Sequence, residues 1–80
     1  MVYKTKGTCA REIRIEVEGG IVTSVGFIGG CDGNSKGISR LVAGLSIGNV
    51  IRLLEGIKCG RKDTSCPDQL AQALKTIWKP

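Results

Sequence analysis

Arg11-Glu12-Ile13-Arg14-Ile15-Glu16-Val17-Glu18-Gly19-Gly20, followed by Ile21-Val22-Thr23-Ser24-Val25-Gly26-Phe27-Ile28, is the stretch on which the fold turns. Arg11 to Glu18 alternates: Ile13, Ile15 and Val17 fall on one face, and Glu12, Arg14, Glu16 and Glu18 on the other, as in a half-buried strand. Two adjacent glycines tolerate the positive φ angles of a tight primed turn, so Gly19-Gly20 predicts a hairpin. Ile21 to Ile28 is then the return strand. Ile21, Val25 and Phe27 match its buried face, while Val22 and Ile28 suggest that the other face is partly covered. Upstream, Val2 to Lys6 reads as a short edge strand, with Lys4 and Lys6 outward against edge pairing.

Downstream of Gly33 the apolar period changes from two to about 3.6. Ile38, Leu41, Val42 and Leu45 share one side of a helix that starts near Asn34 or Ser35 and stops around Gly44. A second helix runs from a Ser46 cap through Val50, Ile51 and Leu54 to a stop at Gly56, with Gly48 an unfavourable residue near its start. The third is capped by Ser65, with Asp68 three residues on as in a capping box and Pro67 in the first turn. Leu70, Leu74 and Ile77 form its stripe, with Ala71 and Trp78 beside them, and Cys66, four residues before Leu70, shares that face. Strands followed by helices predict a two-layer α+β domain over residues 1–80: a small antiparallel sheet of about three strands with three helices on one face.

Size and composition bound what such a domain can be. At 80 residues the chain forms one domain that buries only about 60% of its unfolded surface, so a metal or a partner subunit would help it. Its 22 Leu, Ile, Val and Phe residues argue against disorder. No run approaches the roughly 20 apolar residues of a membrane span. Met1-Val2-Tyr3-Lys4 lacks the basic-then-apolar opening of a signal peptide, so the expected location is the cytoplasm, where disulfides are disfavoured.

The chemistry concentrates in four cysteines: Cys9, Cys31, Cys59 and Cys66. Disulfides, a metal site and reactive thiols are the three ordinary explanations. Cys9 precedes the first long strand and Cys31 follows the second, so the hairpin brings both to the same open end of the sheet. Gly29, Gly30 and Gly33 give the backbone around Cys31 freedom to turn closely. Cys66 stands at a helix N-terminus, where free amides and the helix dipole stabilise a thiolate. Cys59, seven residues earlier and followed by Gly60, is near enough to loop back to it. Four thiolates suit tetrahedral zinc or an iron–sulfur cluster, although no Cys-x-x-Cys knuckle is present. Each cysteine alone also suits a bland core position, and Asp32 reads equally as a ligand or a turn residue.

Other signals are weaker. The net charge is +5, and Lys58, Arg61 and Lys62 cluster between Cys59 and Cys66, a candidate site for phosphate, nucleotide or nucleic acid that is also an ordinary solvated loop. Arg11, Arg14 and Arg40 would extend it if they share its face. Three aromatic residues make no stacking platform, the glycine-rich turn lacks the Lys-Ser/Thr of a phosphate-binding loop, and the absence of histidine excludes imidazole acid–base chemistry. Trp78 suits a core lid or a dimer contact.

Thr64-Ser65-Cys66-Pro67-Asp68, Cys9-Ala10-Arg11-Glu12-Ile13, Phe27-Ile28-Gly29-Gly30-Cys31-Asp32-Gly33-Asn34, Gly37-Ile38-Ser39, Leu41-Val42 and Gly56-Ile57-Lys58-Cys59-Gly60 together resemble the small TSCPD-domain proteins over almost the entire chain. That domain also occurs at the C-terminus of some cobalamin-dependent ribonucleotide reductases, so the resemblance implies a partner related to nucleotide reduction, with Cys59 and Cys66 a possible redox pair. A more distant resemblance is to U-type iron–sulfur assembly scaffolds. In these a cysteine before a strand, one in a glycine-rich turn and one opening the last long helix converge on a cluster or zinc; Cys9, Cys31 and Cys66 match those places. The scaffolds carry an Asp shortly after the first cysteine, where this chain has Ala10 and Arg11, and Cys59 is additional. The readings carried forward are a cysteine-based zinc or iron–sulfur site on Cys9, Cys31, Cys59 and Cys66, a thiol–disulfide exchange module, and a basic nucleotide- or nucleic-acid-binding module. A homodimer would suit the small core.

Overall fold

The elements form in the expected order. The computed structural model describes residues 1–7, 10–29, 32–58, 60 and 63–78, with 32–35 by backbone alone. Strands β1 (Val2–Lys4), β2 (Ala10–Glu18) and β3 (Ile21–Gly29) precede helices α1 (Asp32–Val42), α2 (Ile47–Leu54) and α3 (Cys66–Lys75). The strands make one antiparallel sheet in the order β1-β2-β3, and the whole is the expected α+β arrangement. Gly19 and Gly20 turn the hairpin at φ +58° and +80°, which side-chain-bearing residues rarely adopt.

Two irregularities of register decide which side chains point inward. Glu16 pairs with Ser24 but Val17 pairs with Val22, so β3 carries Thr23 as an extra residue, whose hydroxyl donates to the Glu16 carbonyl at 3.0 Å. The bulge reverses the alternation: Val25 and Val22 are both buried, while Ile21, expected on the buried face, is exposed. At the other end of the pair Arg11 is the extra residue between Ala10↔Gly29 and Glu12↔Ile28, and Ala10 turns inward.

The strand predicted from Val2 to Lys6 stops at Lys4, because the backbone beyond it turns towards α3. The start of β3's outer edge is covered by the α1–α2 connection: Gly44 N–H donates to the Val22 carbonyl, Val22 N–H to Leu45 and Ile47 N–H to Gly20, at 2.8–2.9 Å. This pairing hides part of an edge that would otherwise template association.

Ile13, Ile15 and Val22 from the sheet pack with Val42, Ile47, Val50, Ile51, Leu70, Ala73 and Leu74 in one core, against which Tyr3, Phe27, Ile38, Leu45 and Leu54 are partly buried. Helix α1 begins at Asp32, earlier than the apolar period indicated, and packs on β3. Leu41, expected on its inner side, is 77% exposed: α1 meets the core through Ile38 and Val42. Ser46 caps α2 by accepting from Asn49 N–H at 3.2 Å. Among the described residues no helix is long and apolar enough to cross a membrane.

Candidate functional site

Helix α3 opens with Cys66, half-buried, directly after the buried cap Ser65. The cap works in two directions. Ser65 Oγ accepts from Asp68 N–H at 3.1 Å and donates to the Ile57 carbonyl at 2.6 Å, so it caps the start of the helix and also anchors the connection from α2. The Asp68 carboxylate, read as the second half of a capping box, is committed to more distant partners. Its Oδ1 accepts from Gly56 N–H at 2.8 Å and from Gln72 Nε2 at 3.3 Å, and its Oδ2 accepts from the Thr64 hydroxyl. Burial pushes this carboxyl's pKa up, but the bonds from Thr64, Gly56 and Gln72, helped by the charge of Lys75, outweigh it and hold the pKa below the ordinary value.

The β1–β2 connection arrives at the same place. Lys6 N–H donates to Gln69 Oε1 at 3.1 Å, a bond spanning 63 positions of sequence, and Gln69 Nε2 donates to Thr64 Oγ1 at 3.0 Å. Gly7, at φ +74°, runs so close that a Cβ there would stand 3.2 Å from Thr64 Cγ2. Thr5 closes the base of this connection through its hydroxyl to the Ala10 carbonyl and its N–H to Arg11. Ala10 in turn pairs with Gly29 at the end of β3.

Of the four cysteines expected to act together, Cys66 is described, and Cys9, Cys31 and Cys59 lie outside the described residues. What is on view is the chain beside them: Lys6, Gly7 and Ala10 around Cys9; Gly29 and the Asp32 backbone around Cys31; Gly56, Ile57 and Lys58 before Cys59. Among the described residues no group of three or more Cys, Asp or Glu side chains gathers as a metal site. Of the basic residues, Lys58 is exposed, Arg61 and Lys62 lie outside the described residues, Arg11 and Arg14 are exposed on β2, and Arg40 is exposed in the last turn of α1. Asp32 is described by its backbone alone.

Gln69 and Thr64 are the site-forming residues that reading by pattern missed. A signal for Gln69 existed: it stands three positions after Cys66, beside Leu70 on the inward side of α3, where a polar residue needs a partner. Trp78, read as a core lid or a dimer contact, is 40% exposed and covers Gly48 of α2, whose added Cβ would lie 3.0 Å from the indole.

A three-stranded antiparallel sheet with three following helices, gathered on a Thr-Ser-Cys-Pro-Asp helix start, defines a small α+β domain built around that pentapeptide. The chain belongs to the TSCPD domain family, whose model matches residues 1–77. No curated protein and no solved structure matches it.

Proposed function

We propose that the chain is a small cysteine-based metal-binding domain, with Cys9, Cys31, Cys59 and Cys66 as thiolate ligands and zinc favoured over an iron–sulfur cluster. The observation that carries the reading is the tethering of Lys6 and of Gly56-Ile57, short of Cys9 and Cys59, to the turn that Cys66 opens. Pairing of Ala10 with Gly29 draws the chain beside Cys31 towards the chain beside Cys9. The donor set fits: four cysteines and no histidine suit a soft, all-sulfur site. A metal bound there supplies a cross-link between segments far apart in sequence. The chain's own contribution is to hold Lys6, Gly56 and Ile57, which flank two of the proposed ligands, at the start of α3.

Thiol exchange is the second reading, favoured by the double anchoring of the Cys59-bearing connection to the helix that Cys66 starts. In it the Cys59 and Cys66 thiols deliver two electrons and two protons to a disulfide of a protein partner, which becomes a dithiol while they become the disulfide. Metal content, absorption spectrum and thiol count of protein purified without oxygen separate the two. One colourless metal per chain with protected thiols supports zinc; visible sulfur-to-iron absorption supports a cluster. A metal-free, fully reduced chain that forms one reversible Cys59–Cys66 disulfide overturns the metal reading.

A further inference from the structure

We propose that Thr64, Asp68 and Gln69 are positioning residues of the thiol site, forming one hydrogen-bonded relay that holds the Cys9-bearing and Cys59-bearing connections on the start of α3; the proposal rests on the metal-binding reading above. The relay is continuous. Lys6 N–H donates to Gln69, Gln69 donates to the Thr64 hydroxyl, the Thr64 hydroxyl donates to Asp68, and Asp68 accepts from Gly56 N–H. Asp68 and Gln69 are each only 7% exposed, so bonds within the relay replace solvent for both side chains. Helix capping does not require this arrangement, because Ser65 Oγ already serves the Asp68 N–H. Nor do the amides at the two ends belong to α3: Lys6 lies before β2 and Gly56 follows α2. What the relay adds is a fixed distance between two cysteine-bearing connections and the helix that carries Cys66. Thr64 is its midpoint, using one hydroxyl as donor to Asp68 and acceptor from Gln69, so its removal severs the path between the two ends.

Gln72 provides an internal control, since it also donates to Asp68 Oδ1 but, among the described residues, bonds to neither connection. The test uses the full, reduced chain and cobalt(II) as probe, read by its thiolate-to-metal absorption. Amide hydrogen exchange at Lys6 and Gly56 in the metal-free chain provides a metal-independent readout. Thr64→Val is expected to speed exchange at both amides and to weaken cobalt binding by about 10-fold, the low end of what losing a partner bonded directly to a metal ligand costs, because in the relay Thr64 acts through the two connections. Thr64→Ser should restore both. Gln69→Met should speed exchange at Lys6 more than at Gly56 and weaken cobalt binding, while Gln72→Met should leave cobalt affinity near wild type. If Thr64→Val unfolds the chain, the contrast between Gln69→Met and Gln72→Met carries the test. Wild-type affinity in Gln69→Met, or equal losses in Gln69→Met and Gln72→Met, would overturn the relay while leaving the metal reading intact. Absence of thiolate-to-cobalt absorption in the wild-type chain would overturn the metal reading itself.

Discussion

At the scale of single residues, Asp68 carries the largest number of identified commitments in the α3 start. Its ionised form is the one the fold is built to hold, with donors from Thr64, Gly56 and Gln72 and the positive charge of Lys75 nearby. Because the folded-state pKa lies below the ordinary value of 3.8, its contribution is fully present above that value and is lost as pH falls through the lower folded one. Urea unfolding of metal-free, reduced protein across pH 2–6 is the measurement. Wild type should exceed Asp68→Asn in stability by a constant margin at pH 5–6, and the margin should shrink steadily below about pH 4. A margin independent of pH would show that the carboxylate's charge contributes nothing. The ion pair between Lys75 and Glu55 is a different case: both side chains are more than a third exposed, so it is worth little.

Among elements, α2 and the end of α3 show how one local rule is set aside for another. Gly48 in the first turn of α2 is a poor helix former, yet the Trp78 ring occupies the space its Cβ would take. Trp78 N–H and Ile77 N–H both bond to the Leu74 carbonyl, which fixes the chain as it leaves α3 and delivers the indole to α2. In a Trp78→Ala background, Gly48→Ala should therefore stabilise the protein by about 1 kcal/mol, the ordinary helix-propensity gain. With Trp78 present the gain should vanish and the emission of this single tryptophan should shift to the red; equal gains in both backgrounds would refute the contact.

The same scale shows how much was legible beforehand. The hairpin could be read because its alternation and its glycine pair agree, and α3 because Ser65 announces it. Alternation puts Val22 on the opposite face from Val25, but one bulge residue, Thr23, reverses it and both are buried. The start of α1 at Asp32 leaves no apolar trace, because Gly33 and Gly37 dilute the period of its first turns. Within the candidate site, Cys66 could be placed from its cap, whereas the Lys6–Gln69 and Gly56–Asp68 bonds join a backbone amide to a distant side chain and leave no periodic trace.

For the whole molecule, the question is what a chain of 80 residues would gain from a metal held as proposed between the hairpin and the start of α3. Its core draws chiefly on small and mid-sized aliphatic side chains, with Ile13, Ile15, Val22, Val50, Leu70 and Leu74 the largest that are fully buried. A domain of this size has a stability of only about 4–12 kcal/mol. A metal that binds the folded chain and not the unfolded one adds about 2.7 kcal/mol at a free concentration 100 times its dissociation constant. With about 4–8 °C of melting temperature per kcal/mol in a domain of this length, that amounts to about 10–20 °C. Such a cross-link would join the open end of the hairpin to the start of α3, tying the sheet to the last helix where side-chain hydrogen bonds now do so. Thermal unfolding of reduced protein, with zinc at that excess and again with a chelator, should show this difference, and Cys66→Ser should reduce it. Equal melting temperatures for wild type under the two conditions would mean that the bonds from Lys6 and Gly56 to α3 serve thiol exchange or packing, not a metal.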